Sequence, residues 1–329
     1  MCKYFALLLI FLLLSCSKSS DDIYPHKITI TPLDEYLVYE DGKHNAFTDL
    51  CKYDNKFYLS FRNASNHITA NDYGQIIIME SHDGIEWKYL FTVAEEGCDL
   101  RDPKLIVDSF GYLNLYCGYS MDITPDIVGS KAGRIDISSK SAKLLNICDN
   151  KWLWSVTWYN NVAYSVAYDK DGVYFLKSKD GYDWEEFFEY NEIVCNEASL
   201  AFISGHAQVV LRIASQQNTL IGHADTPYLD WTFTEIPQVI QSPKLLPLMN
   251  GEYLLAGRMI ENNAKQRTCA LLKLNNAVIT DTIWMSNSAI DIAYPGICTK
   301  DNNIYLSFYS GDWESANIYV KKFSMSYLE

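Results

Sequence analysis

The chain has 329 residues, nine cysteines and a formal net charge of −14, and 14% of its residues are aromatic. So acidic a chain excludes nucleic acid as a partner, because phosphate binding needs a basic face. The odd, scattered cysteines exclude a complete disulfide framework, and no Cys or His spacing makes a zinc motif, so neither metal nor organic cofactor is expected.

The N-terminus reads as an export signal over residues 1–15. Lys3 supplies the positive start, Phe5 to Leu14 form an apolar core too short to span a bilayer, and Leu13-Leu14-Ser15-Cys16 resembles a bacterial lipobox. Cleavage before Cys16 would leave that thiol for lipidation, followed by a polar tether over residues 16–30. The expectation is an outer-membrane lipoprotein, anchored through Cys16 and either periplasmic or surface-exposed. Secretion without lipidation is the alternative. Seven cysteines then remain, mostly inside apolar runs, so buried free thiols are the default, with one or two disulfides left open.

From residue 31 onward, apolar runs of five to eight residues alternate with Gly, Asn and Asp turns, and no amphipathic helix interrupts them. That pattern predicts an all-β fold. One hairpin recurs six times, with second strands starting at Phe57, Tyr112, Val162, Ala207, Tyr253 and Ile304. A β repeat of that length predicts propeller blades, so residues 31–329 are expected to form a single six-bladed β-propeller, monomeric once its ring is closed. Glu35 to Glu40 reads as a strand completing the last blade. Ser81-His-Asp-Gly-Ile-Glu-Trp87 and Ser178-Lys-Asp-Gly-Tyr-Asp-Trp184 fit the Asp-box pattern, and Asp225 to Trp231 looks like a decayed third copy. In such a turn Asp caps backbone donors, Gly takes a positive φ and Trp folds back over the hairpin, so the motif marks fold rather than chemistry.

Hairpins of this kind return their last residue to the rim of a central cavity. The spacing makes neighbours of Asp49 and Arg62, Asp102 and Tyr119, Glu197 and Arg212, Lys244 and Arg258, and Tyr294 and Tyr309. Only six of the 27 basic residues are arginines, yet Arg62, Arg212 and Arg258 each end a second strand. Three planar forks over one mouth predict a carboxylate-binding pocket. A single strand-end arginine would more often be structural.

The ordered series of Arg62, Glu197, Arg212, Arg258 and Tyr294, with the Asp boxes, resembles the sialidase superfamily over essentially all of residues 31–329. The resemblance implies that Arg62, Arg212 and Arg258 bind the carboxylate of a sialic acid, that Tyr294 is the nucleophile and that Glu197 activates it. A neutral phenol avoids the repulsion an anionic nucleophile would meet beside that carboxylate, hence the departure from the two-carboxylate rule. The resemblance also places a proton donor on the loop after the first arginine, where Asp72 fits, with Asp49 and Asp102 as rivals. Asn63-Ala64 stands where many relatives have Ile-Pro, which leaves the substrate open. Arg101 is either a further substrate contact or an internal ion pair. Trp152, Trp154 and Trp158 are either sugar-stacking or half-buried strand aromatics, and His67 is a loop residue within reach of substrate.

The expected function is therefore exo-acting hydrolysis of a terminal sialic acid or related 2-keto-3-deoxy sugar acid, with retention. The alternatives are a lyase or hydrolase directed at uronic acids on the same propeller, and a noncatalytic glycan-binding lipoprotein. In each case the partner is a glycan bearing a carboxylate sugar.

Overall fold

The computed structural model describes residues 27–68, 72–121, 128–215, 218–261 and 266–328. Cys16, the signal segment and most of the tether lie outside them. The described residues are all-β, and no helix among them is long and apolar enough to cross a membrane.

The strands follow one another as a chain of hairpins. β1 (Lys27–Tyr39) precedes a run of β2 (His44–Tyr53), β3 (Lys56–Ala64), β4 (Gln75–Ser81) and β5 (Trp87–Val93). Next come β6 (Cys98–Val107), β7 (Leu113–Met121), β8 (Gly129–Asp136), the short β9 (Ser141–Ala142) and β10 (Leu145–Asp149). β11 (Trp152–Tyr159), β12 (Val162–Tyr168), β13 (Val173–Ser178) and β14 (Glu185–Tyr190) form the third group. β15 (Cys195–Ile203), β16 (His206–Ile213), β17 (Thr219–Asp225) and β18 (Thr232–Ile236) form the fourth, and β19 (Val239–Pro247), β20 (Tyr253–Glu261), β21 (Gln266–Asn275) and β22 (Val278–Met285) the fifth. β23 (Asp291–Lys300), β24 (Asn303–Gly311) and β25 (Ala316–Leu328) close the chain.

The arrangement is that of a β-propeller, but its hydrogen-bonded sheets do not number six. Four stand alone, three of four strands and one of five, whereas the first and last groups merge into one eight-stranded sheet. The merger rests on a single parallel bridge, His44 to Ala316. β1 pairs antiparallel with β25, so the N-terminal strand does complete the last group, and it begins at Lys27 within the stretch read as tether. Pairing of this kind covers what would otherwise be an exposed sheet edge.

The innermost strands touch in ring order: β2 meets β6 and β23, β11 meets β6 and β15, and β19 meets β15 and β23. Gly296 shows how close they come, since a Cβ there would lie 2.1 Å from the backbone nitrogen of Leu50. Apolar clusters fill the wedges between groups. Ile76 and Ile78 of β4 pack with Leu100, Leu105, Leu113 and Leu115, and Val166 and Phe175 pack with Leu200, Val209 and Leu211. All seven described cysteines are free thiols.

Both Asp boxes form. Asp83 Oδ1 accepts from the N–H groups of Ile85 and Glu86 at 2.8 and 2.9 Å, and Trp87 Nε1 donates to Gly84 O at 3.2 Å. Gly84 takes φ of 76°. Asp180 repeats the cap on Tyr182 and Asp183 at 2.8 and 2.9 Å. In the decayed copy only the tryptophan lock survives, with Trp231 Nε1 donating to Tyr228 O at 2.9 Å. Each capping bond contributes roughly 0.5–1.5 kcal/mol, whereas one buried Leu or Phe in a wedge contributes roughly 1.5–3 kcal/mol. Loss of one cap is therefore tolerable where packing persists.

Candidate active site

Each innermost strand breaks register at the same depth, between Ala46 and Asp49, Arg101 and Lys104, Leu153 and Ser155, Cys195 and Ala198, Gln241 and Lys244, and Ala293 and Gly296. The residues caught in these bulges include Phe47, Asp102, Trp154, Glu197 and Tyr294. Several hold a positive φ that bulky residues rarely adopt, among them Phe47 at 60°, Asp102 at 49° and Tyr294 at 47°. Bulges re-aim side chains, and strained backbone of this kind clusters at functional sites. Here they turn five side chains toward one another. The Phe47 ring lies 4.8 Å from that of Tyr294, and Tyr294 lies 5.7 Å from Trp154.

Glu197 and Tyr294 meet at the centre. Tyr294 Oη donates to Glu197 Oε1 at 2.6 Å, and Arg212 Nη1 donates to the same oxygen at 2.6 Å. The Ser242 backbone N–H holds Oε2 at 2.6 Å, so the carboxylate cannot rotate away. Arg258 Cζ stands 5.0 Å from the centre of the Tyr294 ring. Burial, reinforced by Glu197, pushes the Tyr294 phenol well above its usual range, while Arg258 and Arg212 pull it down. The neutral phenol is thus the resting form. Glu197 Oε1 is the acceptor placed on its proton, and the two guanidinium groups stand where they would favour a phenolate.

The four expected substrate arginines divide into two kinds. Arg62 is fully buried and already has a carboxylate: Nε and Nη2 donate to Asp99 at 2.8 and 3.1 Å, and Nη1 donates to Asn66 O at 3.1 Å. Gly74 makes room for that pair, because a Cβ there would lie 2.2 Å from both Arg62 Nε and Asp99 Oδ1. Arg258 is likewise engaged, donating to Ile292 O at 2.7 Å, Gln241 Oε1 at 3.2 Å, and Asp291 Oδ1 and Tyr309 Oη both at 2.9 Å. Arg101 makes an internal ion pair with Asp99 at 3.0 Å and a bond to His67 O at 3.1 Å, both through Nη1 alone. Burial opposes its charge, yet Asp99 and Asp102 hold its pKa above the ordinary value. Arg212 leaves Nε buried without a partner. Of these four, Arg101 and Arg212 are therefore the forks with donors to spare toward the described residues, and their side chains are 14% and 16% exposed against 0% for Arg62.

The carboxyl candidates also separate. Asp72 bonds within its own loop, its two oxygens accepting from Ser65 N–H at 2.8 Å and Ser65 Oγ–H at 2.6 Å, and among the described residues it makes no hydrogen bond to Tyr294, Glu197 or an arginine. Asp49 is a strap between strands, accepting from Lys244 Nζ at 3.0 Å and from Leu105 N–H at 2.9 Å, so Lys244 faces Asp49 rather than Arg258. Asp102 is different. Burial raises its pKa to about 6, Glu197 adds to the rise, and Arg101, Lys104 and Arg62 oppose it. A carboxyl raised in this way contributes stability below its unfolded value near 3.9 and loses it as pH rises through about 6. Asp102→Asn should accordingly stabilise the protein at pH 8, by at most about 3 kcal/mol for a shift of roughly two pH units, with the gain vanishing near pH 4. Denaturant melts at the two pH values check this.

Two acids that the sequence pattern did not single out organise the rest. Asp99 holds Arg62 and Arg101. Asp291 Oδ1 accepts from Arg258 Nη2 at 2.9 Å and Tyr309 Oη at 2.8 Å, and its Oδ2 faces His44 Nε2 at 2.9 Å and His67 Nδ1 at 2.6 Å. Although burial opposes ionisation, the two histidines and Arg258 hold Asp291 far below the usual carboxylate range. Polar atoms of His44, His67 and Asp291 lie within 4.8 Å of one another. Arg258 already supplies positive charge to that carboxylate.

Fold and site together define a class, a β-propeller whose innermost strands carry aromatic and acidic side chains to one axis, with arginines supplied mostly by the second strands. Solved structures share the fold. A protein of unknown function from Dyadobacter fermentans DSM 18053 superposes with a TM-score of 0.75 at 16% identity, covering 90% of this chain and 99% of its own. The NanB sialidase of Streptococcus pneumoniae gives 0.67 at 10% identity, covering 87% and 70%, and an α-L-arabinanase of Penicillium chrysogenum gives 0.62 at 13%, covering 88% and 98%. At these identities the likeness is one of fold. No family model and no curated protein matches the chain.

Proposed function

We propose that the protein is an exo-acting, retaining glycoside hydrolase that removes a terminal sialic acid or related 2-keto-3-deoxy sugar acid. The observation that carries this reading is the 2.6 Å bond from Tyr294 Oη to Glu197 Oε1, with Arg212 on the same oxygen. Tyr294 attacks the anomeric carbon as its proton passes to Glu197, and a tyrosyl glycoside forms. Arg212 and Arg101 receive the sugar carboxylate, while Arg62 and Arg258, satisfied by Asp99 and Asp291, form the positive wall behind it. Two charge-assisted contacts contribute roughly 3–6 kcal/mol, which falls short of an association cost of about 4–15 kcal/mol except at its low end. Sugar hydroxyl contacts must supply the remainder.

The same proposal counts the merged sheet as two blades joined by one bridge, making six in all, and places the protein in the outer membrane as a monomer anchored through Cys16. The fold shared with NanB sialidase and with the arabinanase supports the broader class of glycosidases. The assay is release of free sugar acid from an aryl sialoside, with wild-type turnover expected. Asp72, spent on Ser65, favours a second reading, a noncatalytic glycan-binding lipoprotein. Calorimetric binding of sialic acid with no turnover on any sialoside would select it.

A further inference from the structure

We propose that His67, held by Asp291, is the residue that exchanges a proton with the glycosidic oxygen at this site, an inference that rests on the hydrolase reading above. The loop leaving Arg62 was expected to carry the donor in Asp72, and that carboxylate is turned onto Ser65. His67 lies on the same loop and is built into the pocket. Its backbone N–H donates to Trp313 O at 2.8 Å, and its carbonyl accepts from Arg101 Nη1 at 3.1 Å. Its ring stands edge-on to Phe47 at 5.2 Å, His44 at 5.2 Å and Trp313 at 4.9 Å. Phe47 in turn touches Tyr294, so the imidazole and the phenol flank one aromatic ring.

The hydrogen bonds fix the imidazole's working nitrogen. Asp291 is an ionised acceptor with no proton of its own, so His67 Nδ1 must donate at 2.6 Å. Nε2 is then the titrating atom, and among the described residues it has no partner. The His67 side chain is 20% exposed where Asp291 is fully buried, so the dyad opens at the imidazole end only. His44 Nε2 donates to the same Asp291 oxygen at 2.9 Å and helps fix the carboxylate. An imidazole oriented by a carboxylate with one free nitrogen is the arrangement general acid–base catalysis requires. Burial lowers the pKa of His67 from its ordinary value and Arg101 and His44 add to this, with Asp291 opposing, so the protonated donor is populated on the acid side of neutrality.

The step balances without a further reactant. As the Tyr294 oxygen bonds to the anomeric carbon and its proton passes to Glu197, the bond to the aglycone oxygen breaks, and that oxygen keeps the electron pair and takes the proton from Nε2. Water then attacks the same carbon and gives a proton to Nε2. The Tyr294 oxygen leaves with its electron pair and recovers its proton from Glu197.

The test compares wild type, His67→Gln and Asp102→Asn on two sialosides, one with an acidic phenol and one with a simple alkyl alcohol as leaving group. Loss of the proton donor should lower kcat/KM, which reports the step that breaks the glycosidic bond, at least about 100-fold on the alkyl sialoside and less than about tenfold on the aryl one. Asp102→Asn should change both rates alike. Equal losses on both substrates in His67→Gln, or the split in Asp102→Asn instead, overturn the assignment. Failure of wild type to cleave either sialoside removes the hydrolase reading by itself, and imidazole nitrogen NMR then decides on His67. The free protein should show Nδ1 protonated and Nε2 bare, with the Nε2 resonance shifting on addition of free sialic acid. A proton on Nε2 in the neutral form, or no shift, rejects the place of His67 in the pocket.

Discussion

Asp99→Ala is expected to lower the unfolding free energy by about 3–5 kcal/mol, the cost of stripping a buried ion of its partner. Arg62 is fully buried and gives two of its three nitrogens to Asp99, and Arg101 leans on the same carboxylate. Arg62 cannot reach bulk water without displacing the wall around it. Asp99→Asn should be milder, since its amide oxygen still accepts one bond while the charge is lost. Chemical denaturation of the three proteins reads the series directly. A stability unchanged in Asp99→Ala would mean that Arg62 faces the cavity, free for a ligand, rather than an internal acid.

Tyr294→Phe should lower turnover of an aryl sialoside by at least a thousandfold, or about 4 kcal/mol of barrier, with little change in fold. The two effects separate because the phenol hydroxyl contributes one hydrogen bond. Glu197 Oε1 keeps Arg212 when that bond is lost, and Oε2 keeps the Ser242 N–H, so no carboxylate is left bare. The stability loss should stay within roughly 0.5–1.5 kcal/mol, the ordinary value of such a bond. Binding of free sialic acid should survive, because Arg101 and Arg212 are untouched. Kinetics and calorimetry on one preparation distinguish a lost nucleophile from a disturbed pocket, and undiminished turnover in Tyr294→Phe would remove the phenol from the chemistry.

Much of this was legible in the sequence, and what was not has a common cause. Hairpin periodicity and Asp boxes are local patterns, and they located the strands, the capped turns and the pairing of Glu197 with Arg212 across one hairpin. The closing strand was also legible, although its start at Lys27 was hidden by polar flanking residues. The acids that saturate Arg62 and Arg258 were not. Asp99 and Asp291 lie 37 and 33 residues from those arginines and on neighbouring groups of strands, so no spacing within a hairpin reveals them. Three arginines of one sequence pattern thus read as equivalent, whereas their burial and partners make Arg212 different from the other two. The bulges were equally hidden. A positive φ at Phe47 or Tyr294 runs against the preference of a bulky residue and is imposed by packing at the axis. The sheet count differs from the hairpin count because a single bridge, His44 to Ala316, joins two groups that the repeat keeps separate.

The chemistry proposed for this site turns on reaction of the Tyr294 phenol with the sugar. Intact-protein and peptide mass spectrometry, after exposure to an activated fluorinated sialosyl donor whose second fluorine slows breakdown of the intermediate, tests it most directly. One sugar adduct per chain is expected, on the peptide containing Tyr294, and none in Tyr294→Phe. An adduct on Glu197 or Asp102, or steady turnover of the donor with no adduct at any time, would contradict that chemistry.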